Sequence, residues 1–401
     1  MLKTEKVMAK EILILGGART PMGEYGGALR DLTANELGAI AARAALDRSQ
    51  MAPEAIEHTV MGNAMQTSAD AIYGARHVAL KAGVPVERPA LTVNRLCGSG
   101  IQSIINGAQM IQLGEASAVL AGGMESMSQA PHVIRGARWG LKLGEGKLED
   151  SLMASLMDSY CGYYMAQTAE NLSRKMDISR DEQDQFALLS QKRAAQAWEA
   201  GRFQEEVVPV EIKARKGVTL FERDDHLRPD TTIEGLAKLR PAFSKDGFVT
   251  AGNASGIVDG AAAVVISDQE TARRIEAKPL GRIVSWGIAG VPPEIMGIGP
   301  VPASQKALAA AGLKLEDIDL VEVNEAFAGQ YLAVERDLGL DRDRTNVNGG
   351  AIALGHPLGA SGTRLVLTVL LELRRRGKKY GLATACIGGG QGIAMIVEAF
   401  A

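Results

Sequence analysis

Leu91-Thr-Val-Asn-Arg-Leu-Cys-Gly-Ser-Gly100 runs from a short apolar segment into a cysteine and two glycines. Leu91, Val93 and Leu96 sit among β-favouring or apolar neighbours and read as a buried strand entering a turn. Past Gly100, Ile101, Ile104, Ile105 and Ala108 recur at helical spacing. Cys97 is therefore expected at a strand-to-helix junction, where unpaired backbone N–H groups and the positive end of the helix dipole favour a thiolate. The glycines let the backbone approach whatever the sulfur attacks. Taken alone, this stretch leaves two readings open, a nucleophile or an inert buried cysteine, because free cysteine is among the most buried residue types.

Working outward, Ala116–Ala121 reads as the next buried strand. Upstream, Glu11–Leu15 is a short apolar strand before the turn Gly16–Pro21. Thr33 is placed to cap a helix reaching Leu46, with Glu36 completing a capping box. Glu57–Met61 reads as a strand and Tyr73–Ala82 as a helix. Strands and helices alternating at this length predict a layered α/β fold. From Met124 to Gly256 the periodicity weakens, apart from a strong helix over Asp181–Glu199. A stretch of that length is better read as an inserted subdomain than as a loop.

After Gly256 the rhythm resumes, with strands at Ala261–Ile266, Gly281–Ser285 and Leu320–Val323 and a helix at Ser304–Ala311. A glycine-rich run from Thr345 to Gly362 leads into the helix Thr363–Arg375, and Tyr380–Cys386 is a strand ending at Gly388-Gly-Gly390. The halves echo each other. Thr92-Val-Asn94, a turn and a helix parallel Asn346-Val-Asn348, a turn and a helix; the next strand ends on glycines in both, at Gly122-Gly123 and Gly388–Gly390.

The 401 residues carry a net charge of −3 and 46 glycines but few aromatics, and the basic cluster Arg374–Lys379 reads as a solvated helix end. Nucleic-acid binding is not expected. Cys97, Cys161 and Cys386 are far apart and form no C-x-x-C pair, so neither a zinc site nor a disulfide framework is indicated, and a reducing compartment fits. Met1–Met8 has an acidic residue, Glu5, and no signal-peptide core, and no apolar run reaches the roughly 18–20 residues of a membrane span. A cytoplasmic protein without membrane attachment is the expectation.

Cys97, Asn324, His356 and Cys386 each fall at a strand end or in a glycine-rich turn, and open α/β sheets bind ligands at the carboxyl ends of strands. Around them lie Asn94–Gly100, Gly122-Gly-Met-Glu-Ser-Met-Ser128, Ala251-Gly-Asn-Ala-Ser255, Asn324-Glu-Ala-Phe327, Asn348–Gly362 with its Gly355-His-Pro357, and Cys386-Ile-Gly-Gly-Gly390. These stretches, spread over nearly the whole chain, resemble the thiolases in content and order.

The resemblance implies duplicated α/β halves in a five-layered α-β-α-β-α fold. Residues 1–123 and 257–279 would form the N-terminal half, 124–256 an inserted loop subdomain for coenzyme A binding and tetramerisation, and 280–401 the C-terminal half. It implies an acetyl-CoA C-acyltransferase, which cleaves 3-ketoacyl-CoA with CoA or condenses acyl-CoA with acetyl-CoA. Cys97 would carry the acyl group, His356 would activate it, and Cys386 would move the proton at the α-carbon. Asn324 would hold a water that stabilises the enolate oxygen beside His356, and the N–H groups of Cys97 and Gly388 would form an oxyanion hole. Leu156, Met165, Arg228, Phe243, Ser255 and Phe327 would follow the pantetheine and nucleotide path. CoA and acetyl-CoA enter as substrates, with no tightly bound cofactor or metal, and a homotetramer is implied; its loop would be Met124–Gly146. Tyr164 departs from the histidine many biosynthetic members carry there, which bears on acyl-chain preference. The competing reading is a silent thiolase-like acyl-CoA- or lipid-binding partner, which would be expected to lose Cys97, His356 or Cys386; all three are present.

Overall fold

The computed structural model describes residues 10–144, 146–214 and 217–400. The reading of Met1–Met8 therefore lies outside the described residues. In chain order the first half has strand β1 (Ile12–Arg19), helix α1 (Ala34–Ser49), β2 (His58–Gly62), β3 (Ala90–Val93), α2 (Ser99–Leu113) and β4 (Ala118–Glu125). Strand β5 (Val258–Asp268) returns to it after the long excursion. The second half has β6 (Gly281–Gly290), α3 (Pro300–Ala311), β7 (Leu320–Val323), α4 (Ala328–Leu338), α5 (Leu358–Arg376), β8 (Tyr380–Ile387) and β9 (Gln391–Ala399).

The hydrogen-bonded order β3-β2-β4-β5-β1 continues through β6-β9-β8 to β7. In the first half, β4 pairs parallel with β2 and antiparallel with β5, which pairs antiparallel with β1. In the second, β8 pairs parallel with β7 and antiparallel with β9, which pairs antiparallel with β6. The parallel bridge Val321↔Thr345 stands where β3 stands in the first half, so the duplication extends to strand order and sense. Among the described residues, the strand pairing between the two half-sheets is confined to Leu13↔Arg282 and Ile14↔Gly281.

Hydrophobic patterning assigns the layers. Helix α5 is buried from Leu358 to Leu373 on every face, as a helix apolar all round must be. It packs with α2 between the sheets, where Ile101, Ile104 and Ile105 meet Leu365, Val366, Val369 and strand residues of both halves. Leu37, Ala41 and Ala45 of α1 cover the outer face of the first sheet. Ala303 and Ala307 of α3 and Tyr331 and Val334 of α4 cover the second. Five layers result.

The Thr33 capping box forms as expected, with Glu36 N–H donating to Thr33 Oγ1 at 3.2 Å and Thr33 N–H to Glu36 at 2.8 Å. One local expectation is corrected: β3 is not a buried strand. It is the sheet's edge, and Leu91 is 40% exposed because no strand among the described residues pairs with its free side. Strand β9 was not foreseen; it follows directly on the Gly388–Gly390 turn and completes the second sheet's interior.

Candidate functional site

Cys97 lies in a 3₁₀ turn, Leu96–Gly98, between β3 and α2. Leu96 adopts φ 47°, a left-handed conformation costly for a leucine. Hydrogen bonds hold it there: its N–H donates to Asn94 Oδ1 at 2.9 Å, and its carbonyl accepts from Ser99 Oγ at 2.7 Å. The tight turn aims the sulfur across the layers at the tip of β8, where the N–H groups of Gly388 and of Cys97 itself point at it.

His356 follows the left-handed Gly355 and precedes α5. Its N–H donates to Gly256 O at 3.0 Å, so the turn after Ala251–Ser255 fixes its backbone. On the ring, Nδ1 lies 2.5 Å from Ser361 Oγ and Nε2 lies 3.2 Å from Asn324 Nδ2. Ser361 Oγ spends its single hydrogen on Pro357 O at 2.9 Å. It must therefore accept from His356 Nδ1–H, which leaves Nε2 with the lone pair. Burial, followed by the Arg364 cation, pushes the imidazole down to about 3, so it stands neutral, with its Nε2 lone pair turned to Asn324.

Asn324 continues β7, and Asn346 shapes its approach. The Asn346 side chain pairs with the N–H and C=O of Val323 at 2.8 and 2.9 Å from a left-handed backbone that asparagine tolerates. Glu325 is structural: it accepts from Ser190, Asn346 and Ile352, joining the helix Arg180–Glu199 to the turn before His356. Cys386, buried near the end of β8, has its thiol pushed up by burial and by the neighbouring Cys97.

A cavity of about 180 Å³ brings together Cys97, His356 and Cys386 with Leu156, Met165, Phe243, Ser255 and Phe327. Arg228 is not among its walls. It lines a second, more polar cavity of about 520 Å³ with Thr231, Leu236 and Leu239, where its guanidinium pairs with Glu24. Asn324 reaches the site through His356, and Gly388 through its N–H. Tyr164 lines the first cavity and tilts against Phe243, ring centroids 5.7 Å apart.

The expected thiolate at Cys97 is corrected. Surrounding protein withdraws water, and with Glu125 nearby this outweighs the two N–H groups and lifts the thiol to about 11. The resting pair is thiol and neutral imidazole. Sequence reading missed Met127, Met153 and Met296 in the cavity wall, and Ser361 behind the imidazole. Their apolar or small side chains resemble ordinary core positions; only the five-residue spacing of Ser361 from His356 offered a signal. Among the described residues, no group of three or more His, Cys, Asp or Glu could hold a metal, and no helix is long and apolar enough to cross a membrane.

Residues 12–270 match the family model described as thiolase, N-terminal domain, and residues 277–399 the thiolase, C-terminal domain. Human mitochondrial 3-ketoacyl-CoA thiolase is 56% identical over 395 residues, spanning 98% of this chain and 100% of the relative. Acetyl-CoA acetyltransferase of Chromobacterium violaceum is 50% identical over 390 residues, spanning 97% of this chain and 99% of the relative. The solved structure of human mitochondrial 3-ketoacyl-CoA thiolase in complex with CoA superposes with a TM-score of 0.96 at 55% identity, covering 98% of this chain and 99% of that one. The cytoplasmic expectation is overturned here, since the human, orang-utan and bovine relatives are all mitochondrial thiolases by name. With both family models matched along nearly its whole length, this chain belongs to the thiolase family.

Proposed function

We propose that this chain is a CoA-dependent thiolase, an acyltransferase that cleaves 3-ketoacyl-CoA and runs the reverse condensation through an acyl-cysteine. The observation that carries the reading is the convergence of two cysteines and a neutral histidine in one apolar cavity. The relatives' names, 3-ketoacyl-CoA thiolase and acetyl-CoA acetyltransferase, describe the two directions of this chemistry.

In cleavage, His356 Nε2 takes the Cys97 proton as sulfur attacks the 3-carbonyl. The N–H groups of Gly388 and Cys97 receive the developing oxyanion; removing one such donor typically costs about 2.7–4 kcal/mol. The carbon–carbon bond breaks, the acyl group stays on Cys97, and the departing enolate takes a proton from Cys386. Its thiol, held protonated by burial, suits that donation. Asn324 and His356 flank the enolate oxygen through a bound water. Incoming CoA then passes its thiol proton to the Cys386 thiolate and takes the acyl group from Cys97, whose sulfur recovers the proton held on His356.

The pantetheine arm runs along Leu156, Met165, Phe243, Ser255 and Phe327, with the nucleotide end toward Arg228 in the second cavity. There the cation would exchange Glu24 for phosphate oxygens. The 124–256 stretch acts as a subdomain laid over the site, between the half formed by 1–123 and 257–279 and the half formed by 280–401. We assign a homotetramer, supported by exposed Ile134, Trp139, Leu141 and Leu143 on its loop.

Purified protein mixed with acetyl-CoA and quenched rapidly should carry acetyl on Cys97 by mass spectrometry. Cys97→Ala should abolish it, and Cys386→Ala should still acylate while failing in condensation. Acetyl found mainly on Cys161 would refute the assignment.

A further inference from the structure

Glu125, the last residue of β4, has no part in the chemistry above, yet it is wholly buried and its two oxygens receive four N–H groups. Oε1 accepts from Asn63 Nδ2 and the Met65 N–H, both at 2.9 Å. Oε2 accepts from the Ala64 N–H at 3.1 Å and the Gly359 N–H at 2.7 Å. A carboxylate with two donors on each oxygen is filled as an acceptor and fixed in orientation.

Those donors lead in two directions. Ala64 O accepts from Asn94 Nδ2 at 3.0 Å, and Asn94 Oδ1 holds the N–H of the left-handed Leu96 beside Cys97. Gly359 lies in the first turn of α5, three residues after His356, and that turn also carries Ser361. The charge suits a helix N-terminus, and the approach is close. A Cβ on Gly123 would sit 1.8 Å from Gly359 O, so β4 and the start of α5 meet backbone to backbone.

We propose that Glu125 is a positioning residue: its carboxylate ties the turn bearing Cys97 to the first turn of the helix behind His356, and so sets the sulfur–imidazole geometry for proton transfer. The proposal rests on the thiolase reading. It adds to that reading a tether running between elements from the two halves of the chain.

The test uses Glu125→Gln and Glu125→Asp in the full-length protein. Two quantities are followed at the Cys97 peptide by mass spectrometry: single-turnover acetylation by acetyl-CoA, and the pH dependence of alkylation by iodoacetamide. In Glu125→Gln the amide NH₂ faces two N–H groups it cannot accept from. Acetylation should slow by about 100-fold, the scale of a 1 Å misplacement, with KM little changed. The alkylation midpoint should move to lower pH, because the neighbouring negative charge is gone; loosened packing that admits water would lower it too, but would do so in Glu125→Asp as well, where the charge is kept. Glu125→Asp keeps the charge but draws it back by one methylene, so the midpoint should stay while acetylation still slows. It also carries the test if the glutamine variant does not fold. Acetylation at the parent rate in either folded variant, or an unmoved midpoint in Glu125→Gln, overturns the proposal. Alkylation needs no turnover, so a failure of the thiolase reading would show separately, as a parent that is never acetylated.

Discussion

Replacing Ser361 by alanine removes one oxygen, and its predicted effect on turnover is larger than so small a change suggests. Ser361 Oγ is the acceptor that holds the hydrogen on His356 Nδ1, at 2.5 Å in a buried setting. Without it the Nδ1–H is an orphaned buried donor, which costs roughly 1–3 kcal/mol. The competing tautomer, with hydrogen on Nε2, gains by the same amount and cannot take a proton from Cys97. At about 1.4 kcal/mol per tenfold, kcat should fall roughly 5- to 150-fold. Substrate contacts are untouched, so KM should stay close to the parent value. Steady-state thiolysis of acetoacetyl-CoA gives kcat and KM, and ¹⁵N chemical shifts of labelled histidine report the tautomer. A variant that turns over within about twofold of the parent, below the range expected for an orphaned donor, refutes the reasoning. So does a strongly slowed variant whose imidazole keeps its Nδ1–H.

Arg364 Nη1 donates to Glu322 Oε2 at 2.7 Å with both side chains buried, so Arg364→Met strands a carboxylate and should cost about 3–5 kcal/mol by denaturant unfolding; adding Glu322→Leu should recover much of it. His356 titrates near 6.5 when unfolded but only near 3 in the fold, so the unfolded chain binds the extra proton between those values. Stability should therefore fall as pH drops through that window, and less steeply in His356→Gln; equal slopes would contradict the depressed value. Tyr164→Phe should be mild, whereas Tyr164→His should change the kcat/KM ratio between acetoacetyl-CoA and longer substrates by about 1–3 kcal/mol, the scale of one pocket contact. A Tyr164→Phe enzyme losing several orders of magnitude in kcat would make the residue catalytic instead.

Much of the architecture was legible because local and global signals agree in it. The Thr33 capping box, the β7 strand Leu320–Val323 and the isoleucines of α2 each state their structure within a few residues. The exposure of β3 could not be read that way, since an edge strand and an interior one carry the same apolar residues. Cys97, His356 and Cys386 announced themselves through glycine-rich surroundings. The protonation state of Cys97 did not, because it depends on desolvation by residues distant in sequence. Glu125 shows the same limit. Its place in Gly122–Ser128 gives no hint that its oxygens reach Asn63–Met65 on one side and Gly359 on the other.

The position of β9 has a bearing on how the chain is made. Of the nine strands it is synthesised last, yet it lies inside the sheet between β6 and β8, with Cys386 opposite Gly392 and Gly281 opposite Ala399. On the ribosome the first half can fold as it emerges, since domains generally fold as units from the N-terminus. The second sheet must instead wait with a gap at its centre until Gln391–Ala399 is free of the exit tunnel. Until then the strand carrying Cys386 lacks its antiparallel partner, and Cys97 faces no finished site. Assembly of the reactive centre is thus deferred until β9 is in place, and until then the half-built sheet exposes two interior edges, the kind of unpaired edge that invites wrong pairing.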